Sequence, residues 1–136
     1  MLITINFTAD LTTGTLAQTE FYGSFSYDIA GTTGIGTEYI SLTALAFTLD
    51  GVDFTKTDLN QGGQVITQDG YPSYFTGAFT PPPKSPITDI AFGFGGPGII
   101  GYSTPGVFGA GTYQLVPTLR SYLVLLFRRL LRLFSK

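Results

Sequence analysis

The sequence predicts an all-β fold: an antiparallel, jelly-roll-like β-sandwich of about eight or nine strands, closed by one C-terminal amphipathic α-helix. Three observations lead there. Short runs of alternating apolar and polar residues recur from residue 2 to residue 116, broken by Gly, Asp or Pro about every ten residues. Strand-forming and turn-forming residues dominate, with 12 Phe, 8 Tyr and 18 Gly beside many Thr; β-branched and aromatic side chains fit a pleated, half-buried surface. No run of 3.6-residue period appears before residue 117.

The elements follow in order. "LITINFTADL" alternates Ile3, Ile5 and Phe7 against Leu2, Thr4 and Asn6. No basic stretch precedes it, so no signal peptide is read in this chain. "TEFYGSFSYDI" sets Phe21, Gly23, Phe25 and Tyr27 on one face. "SLTALAFTLDGVDFT" alternates through Leu45, Phe47 and Leu49, then turns at Asp50-Gly51 into Val52 and Phe54. An Asp-Gly pair between alternating runs marks a type I′ hairpin, whose two central residues both need positive φ. Asp69-Gly70 repeats the signal between "GQVIT" and "YPSYFTGAFT". "PPPKSP" at 81–86 reads as a stiff connector, because proline cannot donate to a ladder. Alternation resumes at Ile90, Phe92 and Phe94, and "GYSTPGVFGAGTYQLV" supplies the last strands.

At residue 117 the period changes. Projected at 100° per residue, Leu119, Tyr122, Leu123, Leu126, Phe127, Leu130, Leu133 and Phe134 share one arc. Arg120, Ser121, Arg128, Arg129, Arg132, Ser135 and Lys136 share the other, with Val124, Leu125 and Leu131 among them. Pro117-Thr118 marks the start. Two parts are expected, a sandwich over 1–116 and a cationic helix over 117–136.

Charge divides at the same point. The net charge is −2, yet 1–116 sets nine acids against Lys56 and Lys84, whereas 117–136 holds five basic residues and no acid. The body is therefore −7 and the tail +5. An acidic body would repel phosphates, so nucleic acid is not an expected partner. The apolar run of the tail is too short to span a bilayer, which takes about 20 residues. Basic, amphipathic and aromatic-bearing, it has the build of a helix lying in a membrane interface. Leu123, Leu126, Phe127, Leu130 and Phe134 would bury there, with Arg128, Arg129 and Arg132 meeting anionic headgroups. The alternative is docking on an acidic β surface, of the same chain or of a neighbouring copy in a homo-oligomer.

The absence of Cys and His removes thiol nucleophiles, imidazole bases and Cys/His metal sites from the expected chemistry. Asp28, Glu38, Asp50 and Asp53 are acids that a fold can bring together as a pair, but no spacing singles out two of them, and a non-enzymatic protein without a cofactor is expected. One Ca²⁺ candidate stands out. "DLNQGGQVITQD" puts Asp58, Asn60 and Asp69 at positions 1, 3 and 12 of an EF-hand-like loop, with Gly63 at the sharp turn. The other reading is a polar hairpin loop of turn formers. Exposed Tyr and Phe leave carbohydrate binding as a further alternative. "GFGGPGIIG" lacks the Lys-Ser/Thr and the helix of a phosphate loop.

"GSFSYD" at 23–28 together with "YISLTALAFTLDGVDFTKTDLN" at 39–60 resembles exported bacterial, cyanobacterial-type β-sandwich proteins that carry a PEP-CTERM sorting tail. "LVPTLRSYLVLLFRRLLRLFSK" keeps that tail's Val-Pro, apolar run and Arg-rich finish, without its Glu and second Pro. The resemblance implies an exported structural protein at the cell surface, in the extracellular space or at the outer-membrane periphery.

Overall fold

The computed structural model describes residues 1–79 and 91–134; the side chains of residues 61, 62, 91, 132 and 134 are outside that description. Among the described residues nine strands and one α-helix follow the expected order: β1 (Leu2–Leu11), β2 (Thr19–Asp28), β3 (Thr37–Leu49), β4 (Val52–Thr55), β5 (Gln61–Gln68), β6 (Tyr71–Phe79), β7 (Ala91–Gly95), β8 (Ile99–Thr104), β9 (Val107–Val116) and α1 (Leu119–Phe134). The connector at 81–86 and Ile90 lie outside the described residues.

The expected sandwich gives way to a closed barrel. Eight strands pair in the ring β1-β2-β3-β5-β6-β7-β8-β9, and β9 returns to β1 with Leu11 opposite Gly111 and Asn6 opposite Val116. All pairings are antiparallel, and ring order is chain order, an up-and-down meander. β4 is an addition. One edge of β3 pairs first with β5, through 37–41, and then with β4, through 46–49, after a 3-10 turn at Lys56–Asp58 has interrupted the arm. Alternation of period two reads the same in a sandwich and in a barrel. What decides between them is whether the outermost strands find each other.

The interior explains why they do. The inward sets are the expected ones: Ile3, Ile5 and Phe7 on β1, Phe21, Phe25 and Tyr27 on β2, Leu45, Phe47 and Leu49 on β3. Phe7 stands at the centre, with six aromatic centroids within 6.5 Å, supplied by β2, β3, β6, β7 and β9. An eight-stranded barrel is just wide enough to be filled by side chains, and here rings fill it. Gly23 makes room for this. A Cβ there would stand 2.5 Å from the Phe7 ring and 2.6 Å from the Ala46 carbonyl oxygen. Outward positions of β1 and β2 carry Thr4, Asn6, Thr8, Asp10, Ser24 and Ser26, with Leu2 and Tyr22 exposed among them.

Both Asp-Gly pairs form two-residue turns with positive φ at each position, 52° and 78° at Asp50-Gly51, 50° and 87° at Asp69-Gly70. Antiparallel alternation gathers Met1, the 29–36 connection, Asp69-Gly70 and the 96–98 turn at one rim of the barrel. α1 crosses that rim.

Candidate functional site

Thr118 starts α1 as its N-cap, its Oγ1 accepting the Ser121 N–H at 3.1 Å. β9 stops opposite Asn6, which leaves the lower edge of β1 without a strand partner on that side. The helix fills this notch. Ser121 Oγ donates to the Thr4 carbonyl oxygen at 3.0 Å. Tyr122 lies 6.4 Å from Tyr71 at the start of β6, and the Arg128 guanidinium donates to the Thr32 carbonyl of the β2–β3 connection. Leu125, 4% exposed, enters the barrel core between these contacts.

The stripe that meets the barrel is therefore Ser121, Val124, Leu125 and Arg128, spaced i, i+3, i+4, i+7. It comes from the arc that the sequence marks as polar. The leucine-rich arc is turned the opposite way, with Leu123 56%, Phe127 63% and Leu133 65% exposed, and Leu126 and Leu130 exposed as well. Arg120 and Arg129 are exposed and fall about 90° to either side of that arc's centre, from the 100° rotation per residue. Arg132 and Phe134 lie on α1, but their side chains are outside the described set. Among the described residues no helix is long and apolar enough to cross a membrane.

Arg128 thus faces the barrel rather than solvent, above a polar cluster at the rim. Glu38 is desolvated there, which pushes its pKa upward. The Thr33 and Gly34 N–H groups at 2.9 and 2.7 Å, the Thr33 hydroxyl and the Arg128 charge outweigh that, and its carboxyl is held below the ordinary value. The Tyr27 hydroxyl is fully buried close by and has no hydrogen-bond partner. Burial drives its pKa well above 10, against a smaller downward pull from Arg128. Thr67 Oγ1, near the end of β5, is likewise buried and unpaired. Tyr113 is desolvated too, its pKa pushed up to about 12, but its hydroxyl accepts the Phe75 N–H at 3.2 Å and reaches the Gly95 carbonyl at 2.8 Å.

The residues of the Ca²⁺ candidate are not brought together. Asp58 and Asn60 precede β5 and Asp69 follows it, so an extended strand of eight residues, about 26 Å long, lies between them. Asp58 Oδ2 accepts the Thr55 N–H at 2.9 Å, and Asp69 Oδ1 accepts the Gly36 N–H at 2.9 Å. The segment is neither a cation loop nor a polar hairpin loop: most of it is the ladder strand β5, with Val65, Ile66 and Thr67 buried, and only Asp69 belongs to a tight turn. Among the described residues no three acidic side chains cluster where a metal could sit. Asp28 and Glu38 are at the helix-bearing rim and Asp50 and Asp53 at the opposite one, where Asp53 Oδ1 accepts the Thr48 hydroxyl at 2.6 Å.

One feature of the site had no signal in the sequence. A trough of about 770 Å³ runs between α1 and the rim, with Met1 and Ile29 on the barrel side and Leu123, Phe127 and Leu131 on the helix side. Comparison with protein-family models, with curated proteins and with solved structures gives no match.

Proposed function

We propose that this protein is a non-catalytic β-barrel held on an anionic membrane surface by α1, which lies in the interface like a runner beneath the barrel. The observation that carries the proposal is the orientation of the helix. It grips the barrel with its polar stripe and leaves its leucine-rich arc facing outward, flanked by Arg120 and Arg129. An apolar face of this kind on a soluble chain needs a cover. Charge selects lipid over a second copy of the helix, because 117–136 has five basic residues and no acid to pair with them. Each exposed basic side chain is worth about 1 kcal/mol near an anionic surface. A barrel interior filled with rings supports the non-catalytic reading, since it leaves no room there for a substrate. The exported, surface-located setting implied by the PEP-CTERM resemblance belongs to the same proposal.

Vesicle flotation tests it. The full chain should float with vesicles containing phosphatidylserine and stay behind with purely zwitterionic ones. The pair Arg120→Gln/Arg129→Gln should weaken binding roughly 30-fold, from about 2 kcal/mol of lost attraction. Equal recovery with both vesicle types, or none with either, removes the proposal. Lipid-free assembly into rings or filaments would instead favour the helix docking on the acidic barrel of the next copy.

A further inference from the structure

We infer that the trough between α1 and the barrel rim is a seat for a single fatty-acyl chain carrying an anionic head. Its helix wall is one straight ridge, Leu123, Phe127 and Leu131, each a turn apart at i, i+4 and i+8. At 1.5 Å per residue that wall is about 12 Å long. Met1 and Ile29 form the opposite wall, and Val124 also lines the trough. Among the described lining residues Arg128 carries the one charged side chain, and the Met1 ammonium at the barrel wall is paired with Asp28 at 2.9 Å. A volume of about 770 Å³ falls within the range of small-molecule sites.

Charge identifies the occupant. Arg128 spends one guanidinium donor on the Thr32 carbonyl and has others to offer. The carboxylate nearest to it electrostatically, Glu38, is already engaged by the Thr33 and Gly34 N–H groups. A hydrocarbon chain along the ridge would place a carboxylate or phosphate head beside this cation, and the tail as a whole adds positive charge of the same sign. The trough also runs into the outward arc through Leu123 and Phe127, so a chain can enter it from a bilayer without crossing polar surface. The inference shares with the proposed function the choice of lipid as partner, and it is tested without a membrane.

Isothermal titration of the full chain with monomeric oleate should show saturable binding at one equivalent. Leu131→Gln alters the ridge at a position that is exposed and outside the leucine-rich arc. It should weaken oleate binding about tenfold, from the loss of apolar contact, while flotation with anionic vesicles is unchanged. No saturable heat, several equivalents bound per chain, or an unchanged affinity in Leu131→Gln overturns the seat. So does a dimer by light scattering that oleate fails to dissociate, since a second copy would then fill the trough. Loss of flotation with one-to-one oleate binding intact would remove the membrane reading and leave the seat standing.

Discussion

Leu125 and Leu126 are neighbours in sequence with identical chemistry, and the structure assigns them opposite work. Leu125 is 4% exposed inside the barrel core, whereas Leu126 is 45% exposed on the outward arc. Leu125→Ala should leave a hole where α1 is anchored, and large-to-small changes at buried sites cost about 2–5 kcal/mol. That cost falls first on docking of the helix, so amide exchange across α1 should accelerate at least 30-fold, on the order of the factor that 2 kcal/mol represents. Binding to anionic vesicles should persist, because the outward arc is untouched. Leu126→Ala should do the reverse. Fully burying a leucine is worth about 1.5–3 kcal/mol and roughly half of this side chain is still wet, so vesicle affinity should fall about fivefold, near 1 kcal/mol. Helix exchange and barrel melting should stay at wild-type values. Hydrogen exchange by mass spectrometry, paired with vesicle sedimentation, reads both quantities on both variants. Equal loss of helix protection in the two variants, or vesicle affinity that follows Leu125 instead of Leu126, would refute the assigned orientation.

Other outcomes follow from the packing and the rim electrostatics. Gly23→Ala should lower stability by about 1–3 kcal/mol in a denaturant melt, since its Cβ would press on the Phe7 ring and the Ala46 carbonyl. Glu38 has its pKa depressed in the fold, so its contribution is full above the ordinary carboxyl value and is lost as pH falls through the folded value. Acid melts should show the helix-bearing rim loosening below about pH 4, and Glu38→Gln should flatten that dependence. Tyr27 and Tyr113 have raised values, so their stabilisation is complete below pH 10 and is lost as pH rises beyond it, where the unfolded chain gives up protons that the folded chain keeps. Alkaline melts of Tyr27→Phe should lose part of this slope. Tyr27→Phe should also be near neutral or mildly stabilising at pH 7, because the hydroxyl it removes is buried without a partner.

Much of the strand layout was legible because burial imposes a period of two on each side of a strand. Phe21, Phe25 and Tyr27 had to share a face whatever they packed against, and Asp50-Gly51 and Asp69-Gly70 could take positive φ at low cost. Closure was not legible. The pairing of β1 with β9 is carried by backbone hydrogen bonds between segments at the two ends of the body, which side-chain alternation does not encode. The sandwich expectation therefore failed on the one pairing that distinguishes the two architectures. In α1 the wheel sorts residues into arcs without saying which arc meets the barrel. That is seen only in the fold, where the Thr4 carbonyl accepts the Ser121 hydroxyl and the Thr32 carbonyl accepts the Arg128 guanidinium. Leu125 fills the space between them, and a composition-weighted view of the helix passes it over. The separation of Asp58 and Asn60 from Asp69 has a similar origin: a stretch that matched a cation loop in spacing is drawn out straight by its neighbours β3 and β6.

Because the ring follows chain order throughout, the β1–β9 seam is where the molecule fastens itself, like the clasp of a bracelet. Every other junction can zip outward from a connection between successive segments, whereas Leu11 must find Gly111 across nearly the whole polypeptide. Loop closure of that length is entropically the most demanding step of assembly. The seam is thus the joint expected to fasten last. α1 leaves β9 immediately beyond it, which puts any pull exerted through the helix directly on the clasp.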